Sequence, residues 1–472
     1  MRTYDGWEEL LARAAAHAAR WADGLPGRRV VPAVRPEDLT ALGGPLPEAP
    51  EAPADVLERL AAGAEPGLTA TGSGRFFGFV IGGALPAALA ADVLGVAWDQ
   101  NTGLRAASPA HAAVEDCVER WVVDVLGLPR QTVLGLVPGG QSANFTCLAA
   151  ARDAVLRRAG HDVGTDGLTG APRVHVLVGA ERHETVDRAL RFLGLGAPTP
   201  VAVDGQGRVV PAALADALSE VPEGAPLVVC LQAGHIHSGA YDPFPELVPL
   251  ARERDGWVHV DGAIGLWSAA APRLRHLTTG MAEADSWSTD AHKTLNAPYD
   301  CGMALVREPA AVAAAMGMQA AYMVMNAEHV LEPIERTPEW SRRGRAFGTW
   351  AALRSLGRSG LAALVEGLHD NAVRVADGLR TIPGVSVLND VVSTQVTAAL
   401  HDDETTRATV ARVLADGRVW ISGSRWHDRD VMRVSVANWS TDADDVDLAV
   451  EVVREAVADL RPPRPASPAA PS

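Results

Sequence analysis

The sequence predicts an α/β protein: a mostly parallel sheet covered by helices on both faces, followed by a smaller C-terminal α/β domain. Three observations predict it. From about Arg75, helical stretches alternate with short apolar runs, the pattern of strand–helix–strand units. After Trp350 the order of helices and strands changes, which marks a second, smaller unit. Hydrophobic residues make up 47% of the 472 and charged residues 21%, enough apolar material for a large core.

Trp7 to Leu25 carries apolar residues at helical spacing and stops at Gly27, whereas Pro45 to Pro53 is rich in Pro, Glu and Ala and reads as an extended connector. Helices are expected over Leu85–Trp98, Ala110–Leu126, Ser142–Ala159, Thr185–Leu193 and Phe244–Arg254. Strands are expected at Arg173–Val178, Leu227–Leu231, Trp257–Val260 and Met303–Val306. Further on come a helix at Leu361–Leu379, strands at Val385–Leu388 and Thr394–Leu400, a helix at Glu404–Asp416, strands at Arg418–Ile421 and Val431–Ala437, and a helix at Ala443–Asp459. The chain thus divides into an N-terminal helical and extended segment (1–75), a large domain (76–350), a small domain (351–461) and a Pro-rich tail (462–472) expected to be disordered.

The formal net charge of −16 disfavours nucleic acid and anionic membranes as partners, because both attract basic surfaces. Cys117, Cys147, Cys230 and Cys301 are widely spaced and form no CxxC pair, which reads as reduced thiols in a cytoplasmic protein. No signal-peptide apolar stretch follows Met1. The most apolar window, Phe76 to Ala91, is broken by Gly82, Gly83 and Pro86, so a buried loop and helix is expected there rather than a membrane span.

The chemistry is concentrated in a few motifs. Lys293 follows His292 just past an apolar-and-hydroxyl run, Ser286-Trp287-Ser288-Thr289, that reads as a strand end. A lysine held at a sheet edge can form a Schiff base with an aldehyde cofactor. Upstream, Asp261 follows Trp257-Val258-His259-Val260, where a carboxylate is costly to bury without a cation. A protonated pyridine nitrogen is such a cation, so the two residues together point to pyridoxal phosphate (PLP). The alternative for Asp261 is a helix cap before Gly262.

Gly139-Gly140-Gln141-Ser142 precedes a helical run, and backbone N–H groups at a helix N-terminus suit a phosphate; an ordinary turn with Ser142 as cap is the alternative. His183 lies beyond a strand end, where parallel sheets bind ligands, and its ring either stacks on a pyridine or is simply structural. His292 either contacts the phosphate or packs. His235 and His237 share a strand face, which a metal would use, but no third ligand is apparent; a loop covering the cofactor is the preferred reading, with no metal.

In this order, Gly-Gly-x-Ser-Ala-Asn, His183, the Gly234 loop, Asp261-x-Ala263 and His292-Lys293 resemble the group II PLP-dependent amino-acid decarboxylases, whose members include aromatic-amino-acid, histidine and glutamate decarboxylases. The closer resemblance is to a bacterial branch. It runs from about Asp38 to Leu460 and also takes in Arg75-Phe76-Phe77-Gly78-Phe79, Trp98-Asp99-Gln100-Asn101 and Ser341-Arg342-Arg343. It implies PLP fold type I, the aspartate-aminotransferase-like fold with a seven-stranded sheet. It also implies a homodimer with each active site at the subunit interface.

By the same resemblance Lys293 anchors the cofactor, Asp261 faces its ring nitrogen, His183 stacks on the ring, and Ala263 packs the opposite face. Gly140, Gln141, Ser142 and His292 hold the phosphate, and Asp290 and His235 lie beside the cofactor. Tyr322 matches a tyrosine that reaches the site from the neighbouring subunit and protonates the carbanion after CO2 leaves; relatives with Phe there release aldehyde and ammonia instead. Packing is the other role open to Tyr322. Three departures bear on substrate and outcome: Asp290 where many animal relatives have Asn, His235 and His237 where Thr or Asn is common, and Thr294 where Trp is frequent.

The expected activity is decarboxylation of an L-amino acid to its amine and CO2, catalysed by Lys293, Tyr322 and His183. The rivals are transamination, oxidative aldehyde formation or carbon–carbon lyase chemistry on the same scaffold. A non-catalytic scaffold would have lost Lys293 or Asp261, and both are present. The apolar Phe76–Ala84 segment suggests a non-acidic substrate.

Overall fold

The computed structural model describes residues 6–317 and 331–460. Tyr322 and the tail 462–472 lie outside the described residues.

Strands β1 (Val133–Val137), β2 (His175–Gly179), β3 (Thr199–Val201), β4 (Leu227–Gln232), β5 (Trp257–Asp261), β6 (Ser286–Asp290) and β7 (Gly302–Val306) form one seven-stranded sheet in the order β1-β7-β6-β5-β4-β2-β3. All neighbours from β6 to β3 run parallel; β7 alone runs against its two neighbours, β1 and β6. The reason is chain length. Parallel strands need a crossover of a dozen residues or more, and the loop 291–301 is too short for one, so β7 must return antiparallel.

Successive residues of these strands feed different cores, as the two-residue period of a strand dictates. Leu134, Leu136 and Leu177 enter the core on one face, and Val133, Val137, Val176 and Val178 the core on the other. The sheet is therefore buried on both sides, and its strands read as continuous apolar runs.

The N-terminal part carries α1 (Trp7–Gly24) and α2 (Pro53–Ala64); α2 starts where the expected connector ends, with Pro53 in its first turn. Helices α3 (Pro86–Trp98), α4 (Pro109–Val125), α5 (Gly140–Arg158), α6 (Val163–Asp166), α7 (Glu184–Phe192), α8 (Pro211–Ser219), α9 (Phe244–Arg252) and α10 (Pro309–Met316) belong to the large sheet's layers. Of these, α6, α8 and α10 were not legible in the sequence, nor were strands β1 and β3.

Helix α11 (Ala346–Arg380) is longer than the expected Leu361–Leu379 and is broken at Gly357, whose φ of 62° lies in the left-handed region. Ala346 to Val365 serve the large core, and Leu368 to Leu379 serve a second core. That second core sits on a four-stranded antiparallel sheet, β10-β11-β9-β8, with β8 (Ser386–Val387), β9 (Gln395–Ala399), β10 (Ser422–Trp426) and β11 (Arg429–Ser435). It is completed by α12 (Asp403–Asp416) and α13 (Ala443–Ala458).

One expected strand is displaced. Arg418–Ile421 is not a strand; β10 begins at Ser422 and pairs Trp426 with Arg429 across a two-residue turn. His427 and Asp428 both have positive φ (48° and 58°), the geometry a tight hairpin demands, and this turn sets the register of both strands. Trp420 instead bridges Phe76, so the ladder there uses the 75–77 segment.

The large domain holds a fully buried ion pair. Arg342 Nη2 lies 2.9 Å from both oxygens of Glu115, with side chains 2% and 1% exposed, and Nη1 donates to the Leu136 carbonyl. Removing one member strands the other charge. Glu115→Ala should lower unfolding free energy by about 3–5 kcal/mol in denaturant titration; a loss below about 1 kcal/mol would mean that water reaches the guanidinium.

Candidate active site

Lys293 sits in the loop that follows β6, at the C-terminal edge of the large sheet, where open α/β sheets bind ligands. It is the only lysine in the sequence, a signal that separates it at once from surface charge. Its Nζ lies 2.8 Å from Asp290 Oδ2, and the Asp290 side chain is 1% exposed. His292 Nε2 lies 3.5 Å from the other carboxylate oxygen. His292 Nδ1 accepts the Cys301 N–H at 3.1 Å, so the ring proton of neutral His292 sits on Nε2 and faces Asp290. Burial pushes the His292 pKa below its ordinary value, against the pull of Asp290.

The N-terminus of α5 closes on this pair. The helix starts at Gly140, two residues earlier than expected, so Ser142 lies within its first turn and is not its cap. No side chain caps this end, which leaves the first N–H groups directed outward with the positive end of the helix dipole. Glycines permit the approach. A Cβ on Gly140 would lie 2.9 Å from Asp290 Oδ2, one on Gly139 would lie 3.2 Å from the His292 ring, and one on Gly302 would lie 2.5 Å from the Gly139 backbone.

Asp261 ends β5, on the strand beside β6. Its side chain accepts Asn144 Nδ2 at 3.0 Å and the Ala263 N–H at 3.1 Å. Among the described residues no cation pairs with it, although it is 7% exposed. A buried carboxylate with two hydrogen bonds and no counter-charge is what a cationic ring nitrogen would complete.

His183 is the N-cap of α7, its Nδ1 accepting the Thr185 N–H at 3.2 Å and lying 2.9 Å from Thr185 Oγ1. Its ring is exposed. His235 and His237 take a different course. His235 is buried, with Nε2 3.2 Å from Glu181, and His237 stacks on Trp426 with a 9° interplanar angle. Glu181 also accepts the Trp426 indole N–H at 2.8 Å and lies 3.0 Å from His427. Burial alone would raise the Glu181 pKa, but the hydrogen bonds from His235 and Trp426 outweigh it and hold it at about 2. Burial drives His237 down to about 4, helped by neighbouring His235. The pair therefore ties the β4 loop to the β10–β11 hairpin.

The 75–84 segment runs beside Lys293. The Gly82 N–H donates to the His292 carbonyl at 3.2 Å, and the Gly83 N–H to Asn296 Oδ1 at 2.7 Å. A Cβ on Gly82 would stand 2.2 Å from the Lys293 carbonyl oxygen. Phe76 packs on Trp420, Phe77 enters the second core and Val80 is buried with Ile264 and Ala437, whereas Phe79 is exposed.

Sequence reading missed Asn144, Thr185, His259, Ser286 and Ser288, which form a hydrogen-bond network beneath Asp261. Asn144 stands in a recognised motif, but its partners lie 41 to 144 residues away.

Residues 36–400 match the family model described as the pyridoxal-dependent decarboxylase conserved domain. The chain is 27% identical to the 4-hydroxyphenylacetaldehyde synthase of Rhodiola rosea over 91% of each protein. It is 26% identical to tyrosine decarboxylase 4 of Petroselinum crispum, over 87% of this chain and 85% of that protein. The structure of Oryza sativa TDC with PLP and tryptamine superposes with a TM-score of 0.89 at 23% identity, covering 97% of this chain and 98% of that one. These similarities do not bear out a special nearness to a bacterial branch. They agree with fold type I and with PLP as the cofactor. The chain belongs to the pyridoxal-dependent decarboxylase family, and is a PLP-dependent carboxy-lyase of the group II amino-acid decarboxylases.

Proposed function

We propose that the chain decarboxylates an L-amino acid to the corresponding amine and CO2, with Lys293 as the covalent anchor of the cofactor. The observation that carries this reading is the lone lysine, held 2.8 Å from buried Asp290 and one strand away from the unpaired Asp261 carboxylate. When bound, PLP supplies an electron sink for the charge left at the substrate α-carbon.

The residues present fit it. Gly140, Gln141 and Ser142 offer backbone N–H groups to a phosphate, with His292 beside them. Asp261 would favour a protonated ring nitrogen, and Ala263 and His183 would flank the ring, as the family resemblance implies. Asp290 holds the Lys293 ammonium in place. His235, buried beside Glu181, would brace the loop after β4 that the reading sets over the cofactor. Tyr322 or His183 delivers the final proton; for Tyr322 that assignment rests on sequence position alone. Exposed Leu89, Val93, Val96 and Trp98 on α3 support a homodimer that covers them and builds the site at the interface. Four free cysteines support a cytoplasmic setting.

A second reading has a specific observation behind it: one similar protein is an aldehyde synthase, and His235 and His237 depart from the usual residues. Product analysis over a panel of L-amino acids separates the two. Equal amounts of CO2 and amine are expected; CO2 with aldehyde and ammonia would establish the oxidative outcome, and a keto acid without CO2 an aminotransferase. The exposed, apolar Phe79 favours a non-acidic substrate, and a clear preference for glutamate or aspartate would reverse that.

A further inference from the structure

We propose that Asn144 is a positioning residue, the junction of a one-way hydrogen-bond chain that presents Asp261 as an accepting carboxylate and fixes His183 with its proton on Nε2. The inference deepens the proposed function and rests on its placing of Asp261 and His183 against the cofactor.

The direction of the chain follows from its donors. The Trp257 indole N–H can only donate, and it donates to Ser286 Oγ at 2.9 Å. Ser286 Oγ also lies 3.0 Å from His259 Nδ1. Asn144 turns its amide nitrogen to the Asp261 carboxylate, so its Oδ1 faces His259 Nε2 at 2.9 Å and accepts from it, which puts the His259 proton on Nε2 and leaves Nδ1 to accept. Ser288 Oγ donates to the same oxygen at 2.7 Å. With its oxygen occupied, the Asn144 amide nitrogen has two protons to give. One goes to Asp261 Oδ2 at 3.0 Å and the other to Thr185 Oγ1 at 3.1 Å. The Thr185 hydroxyl, having accepted, passes its own proton to His183 Nδ1 at 2.9 Å, where the Thr185 backbone N–H also points. His183 Nδ1 receives two donors, so the ring proton resides on Nε2, the exposed edge.

The reverse orientation of Asn144 fails. It would set the amide oxygen against the Asp261 carboxylate and the NH2 group against His259 Nε2–H and the Ser288 hydroxyl. Burial supports the same assignment: His259 is fully enclosed and its pKa falls to about 4, so it stays neutral and donates through one nitrogen. Residues from β5, β6, α5 and α7 thus fix one tautomer at one exposed imidazole. A general acid or a stacking ring gains from this, because no reorganisation of the proton is left to the reaction.

The test compares Thr185→Val, which keeps shape and loses the hydroxyl, with Thr185→Ser, which keeps the hydroxyl, and adds Asn144→Ala. Histidine-selective 15N spectra of the apo-protein report the tautomer directly, and PLP affinity, kcat and KM follow on the reconstituted enzyme. We expect His183 in the Nε2–H form in the parent and in Thr185→Ser, and a larger fraction of the Nδ1–H form in Thr185→Val, where the backbone N–H of residue 185 is the one donor left at Nδ1. We expect kcat to fall about 10–100-fold in Thr185→Val with KM little changed, and PLP binding to weaken in Asn144→Ala. An Nδ1–H tautomer in the parent, or identical behaviour of the Val and Ser variants, would overturn the proposal. Because the tautomer is read without turnover, its failure is distinct from failure of the decarboxylase reading, which would show as a parent enzyme yielding no amine.

Discussion

Lys293→Ala should abolish turnover, lowering kcat by about 10⁴-fold or more, and remove the visible absorption of the bound cofactor. No other lysine exists in the chain to take over. Arginine is no substitute, because a guanidinium stays protonated and so is not a nucleophile, and Lys293→Arg should be equally inactive. The single lysine sharpens the experiment further. Borohydride reduction of the PLP-loaded enzyme should leave one cofactor adduct per chain, on the peptide containing Lys293, and none on the alanine variant. An adduct elsewhere, or retained turnover in Lys293→Ala, would end the assignment. The neighbourhood argues for the lysine being held rather than free, since its ammonium lies 2.8 Å from a carboxylate almost wholly removed from water.

Asp261→Asn should lower kcat/KM by about 10²–10³-fold, the usual cost of losing one preorganised electrostatic contact at a reacting centre. The change is nearly isosteric, so packing is kept while the charge goes. It also disturbs the hydrogen bonds. Both Asp261 oxygens accept at present, from Asn144 and from the Ala263 N–H. An asparagine amide would oppose one donor with another, so cofactor affinity should fall as well, measured by PLP titration of the apo-protein. Asp261→Glu keeps the charge but displaces it by one methylene, and an intermediate loss is expected. If Asp261→Asn turned over at the parent rate, the carboxylate would be no more than a cap for the Ala263 backbone.

Much of this was legible without coordinates. The alternation of apolar runs and helical stretches located most elements of the large sheet, because burial on both faces leaves a continuous apolar signature in each strand. Lys293 and Asp261 stood out because ionisable residues at the ends of such runs need a partner. Two elements show where local pattern fails. The short β3, Thr199–Val201, is held by pairing with β2, and its own composition is unremarkable. The strand expected at Arg418–Ile421 is shifted to Ser422–Trp426 because the turn at His427 and Asp428, with both residues in the left-handed region, dictates register for the hairpin.

By itself, then, the sequence determined the fold class, the family and the cofactor, and it singled out Lys293 and Asp261 as the candidate residues for that chemistry, all from local order along the chain. Only the tertiary structure decided how those residues are supported. Asp290 and Lys293, three residues apart, meet locally in the turn after β6, but His183 reaches Asp261 through Thr185 and Asn144, which come from different elements. His235 and His237, which the sequence reading set in a loop over the cofactor, contact Glu181 and Trp426, partners that no local pattern could name. The physical reason is that a hydrogen bond is decided by atoms within about 3 Å, and where the partners are far apart in sequence, as Asn144 is from Asp261 or Glu181 from Trp426, they are brought together by sheet order and core packing.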